Sequence, residues 1–255
     1  MSVSAERINL LDEIRGFAII CMVFFHAFYT MAFLFGWQIG TSLLNFFMPA
    51  EPYFAALFIL ISGISSHLSH SNALRGARLA VIAQLLTLVT FIMDEVMGMS
   101  GTAIYFGILH LLSASMLFYA AVADFADRIP PVVTVSVCAV LFLLTYNMQI
   151  GLIGIGSLSC ALPHGIANQI VLYPFSTSSP AFSSSDYFPI FPWLFMFMMG
   201  TALGKRFKQG RIPRFFYPMH IRPLAFCGRH SLIIYLAHQP IIYGACLAIS
   251  LLFRI

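Results

Sequence analysis

Asp12, Arg15 and His26 stand in one largely apolar run from Leu10 to Phe35. These are residue types that hold an anion and move a proton. Arg15 and His26 are eleven positions apart, roughly three turns at about 3.6 residues per turn. Both therefore project from nearly the same helix face, about 16 Å apart along the axis at 1.5 Å per residue. Asp12 lies one turn before Arg15 and shares that face within about 60°. Ionisable groups in a membrane segment are costly and line a protein interior or a wet cavity. An arginine near one mouth can grip an anionic group, and a neutral imidazole deeper in can take a proton from an attacking hydroxyl or amine. The bland alternative is an interfacial Asp12–Arg15 ion pair, with His26 making one helix-to-helix hydrogen bond.

Further candidates lie downstream. In the last apolar run Ser231, Tyr235 and His238 fall three and four apart, on one helix face, with Pro240 freeing a backbone carbonyl nearby. His238 is either a packing histidine bonded to a neighbouring helix or a pocket residue. His110, alone on an apolar stretch, is either a donor-binding residue or a core histidine bonded to a neighbouring helix. Asp186 precedes Tyr187, Pro189, Pro192 and Trp193. By type and place it can cap the helix that follows. Trp193 can anchor the interface. His67 and His70 lack third and fourth ligands, so no metal is expected and they read as a polar helix end.

The elements that must position these residues are membrane helices. Of 255 residues 60% are hydrophobic and only 9% charged, against about a quarter charged in a soluble domain. The net charge of +4 does not indicate nucleic acid, because the basic residues fall in short loops between apolar runs. The five cysteines are scattered, with no CxxC pair and no disulfide framework. Asp12, Glu13 and Arg15 interrupt the first apolar stretch, which is therefore not a secretory signal.

Seven spans are expected: Leu10 to Phe35, Pro52 to Leu68, Gly76 to Val96, Ile104 to Ala123, Val132 to Tyr146, Phe188 to Leu203 and Ser231 to Phe253. They make an all-α polytopic bundle, one domain over residues 1–255. Between Gly151 and Asp186 the chain is rich in Ser, Pro and Gly, and its apolar patch from Ile170 to Phe175 is too short to span. With seven crossings from an inside N-terminus, Arg7, Arg75, Arg78, Arg128 and the cations from Lys205 to Arg222 share one side. The other side holds Glu51, Asp94, Glu95, Asp186 and Arg254. The positive-inside rule then places the N-terminus in the cytoplasm and the C-terminus outside. No internal repeat of the transporter kind is visible.

The pattern Asp12-x2-Arg15-x10-His26 resembles the first-helix motif of the transmembrane acyltransferase superfamily, acyltransferase family 3 included. More of the chain resembles the heparan-α-glucosaminide N-acetyltransferase-like branch in its short bacterial form. The matching stretches are LLDEIRGFAIICMVFFH (Leu10 to His26), LFILISGISSHLS (Leu57 to Ser69), FGILHLL (Phe106 to Leu112), DYFPIFPWLFMFMMGTALGK (Asp186 to Lys205) and GRHSLIIYLAHQPI (Gly228 to Ile241). They cover somewhat under a third of the chain, spread in family order over five of the seven helices. The resemblance implies a membrane acyltransferase moving an acyl group, acetyl in the first instance, from cytoplasmic acyl-CoA to a glycan or similar hydroxyl or amine acceptor. It implies His26 as catalytic base, with Asp12 and Arg15 setting its surroundings, His238 and Ser231 in the pocket by their match to the family's closing pattern, and Asp186, with Trp193 beside it, holding an acceptor hydroxyl at the outer mouth. Acyl-CoA is a co-substrate on this reading, no permanent cofactor is expected, and the location is a plasma or inner membrane. The competing class is a non-enzymatic transporter or regulator in which Asp12, Arg15 and His26 form a proton-linked relay.

Overall fold

Long apolar runs in lipid find no water for their backbone groups and must close their hydrogen bonds internally, as helices. The computed structural model, which describes residues 7–96, 98, 101–163, 170–176, 179, 182, 184 and 186–253, follows that rule. Helix α1 (Asn9–Tyr29) continues into a π-helical turn at Thr30–Leu34. Then come α2 (Gln38–Phe47), a 3-10 turn at Met48–Ala50, and α3 (Glu51–Ser66). Next are α4 (Asn72–Phe91), α5 (Ile108–Ala126) and α6 (Pro131–Thr145). The chain ends with α7 (Ile190–Lys208), α8 (Arg222–Arg229) and α9 (Ser231–Phe253).

Among the described residues six segments are long and apolar enough to cross a membrane: Asn9–Leu34, Gln38–Ser66, Asn72–Val96, Ile108–Ala126, Pro131–Ile150 and Ser231–Phe253. The remaining expected span is present as α7, but Lys205, Arg206 and Lys208 occupy its last turn and dilute its apolar character. The expected second span starts earlier than its apolar core, because α2 and the 3-10 turn lead into α3. The Gly151-to-Asp186 stretch holds a short antiparallel hairpin, Leu152 paired with Ala161 and Ile153 with Cys160. The patch at Ile170 to Phe175 is a single 3-10 turn followed by a turn, not a span.

The helices divide between two compact units: residues 1–61 with 212–255, and residues 62–211. In the first unit α1 packs along α8, and the crossing is made by two glycines. A Cβ on Gly16 would overlap the carbonyl of Leu224, and one on Gly228 would overlap the carbonyl of Asp12. Glu13, buried, accepts the backbone N–H groups of His220 (2.6 Å) and Ile221 (3.1 Å) and so closes the start of α8. Ten residues beyond this crossing on both segments, His26 meets His238. The two segments therefore run parallel and in step.

In the second unit α4 packs on α5, and α7 on α5 and α6. Lys205 donates to the carbonyls of Ala126 (3.1 Å), Asp127 (3.1 Å) and Ile129 (3.0 Å), filling the acceptor end that α5 leaves open. Beside it the Tyr119 hydroxyl donates to Asp127 (3.0 Å) and accepts from His67 Nε2 (2.7 Å). Of the two histidines read as a polar helix end, His67 is thus buried in this junction and His70 is exposed.

Candidate active site

Two polar centres lie along α1, and both belong to the first unit. Near its start Asp12 is only 8% exposed, although it carries a charge. Its Oδ2 receives Arg7 (Nε 2.9 Å, Nη2 2.8 Å) and lies 3.5 Å from Arg229 Nε, while its Oδ1 receives Arg15 Nη1 at 3.3 Å. The ion pair foreseen between Asp12 and Arg15 is present, but Arg7 and Arg229 share the same carboxylate. Asn9 fixes Arg229 from the other side, accepting its Nη2 at 2.8 Å and donating in turn to the Tyr217 carbonyl at 2.8 Å.

The second centre begins fourteen residues further on, about 21 Å along a regular helix axis. There the His26 ring lies 5.0 Å from the His238 ring, centroid to centroid, tilted by 54°, and Phe25 meets His26 edge-on. The buried His238 donates through Nδ1 to the carbonyl of Tyr235. A carbonyl only accepts, so Nδ1 carries the proton and Nε2 of the neutral ring is an acceptor. One turn past His26, fully buried Thr30 accepts Gln239 Nε2 at 3.3 Å. Thr30 and Gln239 were not foreseen from sequence. Their signal was polar type at i+4 from His26 and i+1 from His238. Ser231 opens α9 about 10 Å along the axis below His238, so the helix face it shares with His238 does not bring it to the imidazole pair.

Three expected site residues fall instead in the second unit, at or near the start of α5 and α7. His110 Nδ1 accepts the Gly107 N–H (3.2 Å), so its Nε2–H faces Thr87 Oγ1 (3.1 Å), which donates on to the Ile104 carbonyl (2.7 Å). Both ring nitrogens are thereby used. That arrangement suits the core-histidine alternative. Asp186, also buried, accepts the Ile108 N–H at 3.1 Å. It closes the start of α5, not of the helix that follows it in sequence. Trp193 is buried between Phe142 and Phe188, with ring centroids 5.7 and 5.4 Å away. Among the described residues no group of three or more His, Cys, Asp or Glu is placed to hold a metal ion.

The family model for the heparan-alpha-glucosaminide N-acetyltransferase catalytic domain matches residues 7–240. The chain belongs to this family. No curated protein and no solved structure matches it. The matched region opens on Arg7 and closes just past His238 and Gln239, so it takes in both the arginine–carboxylate centre and the imidazole pair. It makes the protein a membrane member of an acetyltransferase family, built from apolar helices.

Proposed function

We propose that the protein is an acyl-CoA-dependent membrane acyltransferase, acting on acetyl groups and on a hydroxyl or amine acceptor such as a glycan. The observation that carries the reading is the placement of His26 against His238, inside a chain of this family. Neutral His26 takes the proton of the acceptor O–H or N–H as that oxygen or nitrogen bonds to the thioester carbonyl carbon. The C–S bond then breaks, and the CoA thiolate leaves with the proton returned by the imidazolium. His238, whose ring lies 5.0 Å from that of His26, stabilises the imidazolium while it exists. In the other route His26 first takes the acyl group onto its own nitrogen. That route differs in one observable, an acyl-enzyme that accumulates when acceptor is left out. Asp12 acts in either case as a positioning residue, through the arginines it gathers.

On this reading the N-terminus and the Lys205-to-Arg222 loop face the cytoplasm of a plasma or inner membrane, with the Gly151-to-Asp186 stretch outside. The test is thermal melting of the purified protein with a panel of CoA esters, because a ligand held only by the folded state raises the melting temperature. Acetyl-CoA is expected to raise it in a concentration-dependent way. Failure of every ester to shift the melt removes the acyl-CoA donor from the proposal.

His110, Asp186 and Trp193 are assigned to the frame of the second unit. His110→Leu is expected to lower stability by about 1–3 kcal/mol, since it strands the Gly107 N–H and removes the N–H that the Thr87 hydroxyl accepts. The KM for acetyl-CoA of the folded fraction should stay within a factor of two. A tenfold rise in KM with an unchanged melt would return His110 to the donor site.

A further inference from the structure

The 212–230 stretch, which belongs to the first unit, carries no Asp or Glu. It is held from within. Asn9 donates to the Tyr217 carbonyl, Glu13 accepts the N–H groups of His220 and Ile221, and Ala225 and Gly228 are buried, Gly228 against α1. What remains outside is both cationic and apolar. Phe226, one position past Ala225 and nearly opposite Gly228 around the helix, is 61% exposed and packs on His230 with ring centroids 4.3 Å apart. Arg222 stands one turn before Phe226 on the same face, and exposed Ile233 continues that face two turns beyond it. The 3-10 turn at Arg214–Phe216 folds back on the start of α8. The Phe215 ring, also 61% exposed, lies 4.4 Å from that of His220, and His220 Nε2 donates to the Phe215 carbonyl at 2.9 Å. Arg214 and Arg222 are both exposed, and among the described residues neither belongs to an ion pair.

Guanidiniums without carboxylates, set among exposed aromatic and aliphatic side chains, match a partner that brings an anion and hydrocarbon together. A phospholipid carries both, in that order along its length. We propose that this surface holds one anionic phospholipid, its headgroup phosphate against Arg214 and Arg222 and an acyl chain along Phe226 and Ile233. The planar fork of arginine pairs with phosphate oxygens. The direction also fits. The α8–α9 segment runs in step with α1, so the path from Arg222 to Ile233 leads from the start of α1 towards the level of His26. Eleven residues advance about 16 Å along a regular helix, close to the ~15 Å of hydrocarbon in one leaflet. A zwitterionic headgroup brings its own cation to its phosphate, whereas two unpaired guanidiniums favour one with net negative charge. On the orientation proposed above, this end of α1 meets the cytoplasmic leaflet, which is the anionic one. The positive-inside rule accounts for the arginines but not for the exposed rings beside them. Arginines alternating with outward-facing apolar side chains are the composition of a segment that lies against lipid. The surface uses neither the imidazole pair nor the guanidiniums on Asp12, so it stands apart from the acyl-CoA reading.

The experiment titrates the purified full-length protein, in a non-ionic detergent, with phosphatidylglycerol or phosphatidylcholine and counts bound lipid by native mass spectrometry. Arg214→Gln and Arg222→Gln should each weaken phosphatidylglycerol roughly 5-fold, and the double variant roughly 30-fold, with phosphatidylcholine unchanged. Added salt should weaken the anionic lipid alone. Arg128→Gln removes an exposed cation that stands in sequence beside Asp124 and Asp127, and it should leave both lipids as in the wild type. Melting curves establish that each variant is folded. Equal affinity of the wild type for the two lipids, or unchanged phosphatidylglycerol binding in the double variant, overturns the site. A loss in Arg128→Gln as large as in Arg222→Gln would reduce the effect to overall charge and overturn it too. Two further probes separate the lipid from a soluble phosphate. Glycerol 1-phosphate, which has the headgroup and no chain, should fail to displace the lipid, and displacement at comparable concentration removes the acyl chain from the proposal. Acetyl-CoA should bind the double variant as it binds the wild type. A loss of acetyl-CoA affinity with phosphatidylglycerol binding intact would give these arginines to a nucleotide phosphate and end the lipid assignment. The lipid titration decides the site whether or not the protein binds a CoA ester.

Discussion

His26→Ala is expected to lower acyl transfer by about 10²- to 10⁴-fold while leaving acetyl-CoA affinity within a factor of two. The size follows from the loss of a positioned general base. The separation of effects follows from geometry: His26 lies about 21 Å along α1 from Asp12 and the guanidiniums gathered on it. Removing the imidazole also leaves His238 without the ring that sits 5.0 Å away, so the pair cannot share a proton. Turnover and binding are measured separately, by release of CoA thiol under saturating acceptor and by titration of the donor. Arg15→Ala should give the reverse pattern, a raised KM with a smaller change in kcat. Wild-type turnover in His26→Ala would place the base elsewhere, and His238 would be the next residue to replace.

The first and last helices were legible in the sequence because their apolar runs are long and their polar residues few, so Asp12, Arg15, His26 and His238 stood out against the background. Partners within one helix were legible for the same reason: Arg15 one turn after Asp12 is a local matter of i, i+3 spacing. The rest of each centre depends on residues some two hundred positions away. Arg229 reaches Asp12, and the backbone of His220 and Ile221 reaches Glu13, and no spacing rule connects them. Helix α8 itself was hidden inside a basic loop that the positive-inside rule already explained. Its signals were a proline in the first turn, Pro223, and small residues at Ala225 and Gly228 on a face that must receive another helix. His110 was ambiguous because a lone histidine on an apolar helix looks the same whether it meets a ligand or Thr87. Only the direction of its two hydrogen bonds separates the cases.

Because α1 and α8–α9 run in step, the glycine crossing sets the imidazole pair as well as the fold. Gly16→Ala and Gly228→Ala are each expected to destabilise the protein by about 3 kcal/mol or more, because the added methyl meets backbone carbonyl atoms that no rotamer change can move aside. Relief requires α1 and α8 to separate, and any separation at Gly16 and Gly228 is passed along both segments to His26 and His238, ten residues on. The folded remainder should therefore show reduced kcat, although neither glycine touches a reacting atom. Gly244→Ala supplies the control in α9: a Cβ there meets nothing within 4 Å, and alanine in a helix interior gains about 0.5–1 kcal/mol over glycine. Thermal melts of the three variants in one detergent, with turnover measured on the same preparations, decide the matter. Gly16→Ala melting with the wild type would mean that α1 and α8 are not held at backbone contact, and the parallel register that brings His26 to His238 would lose its support.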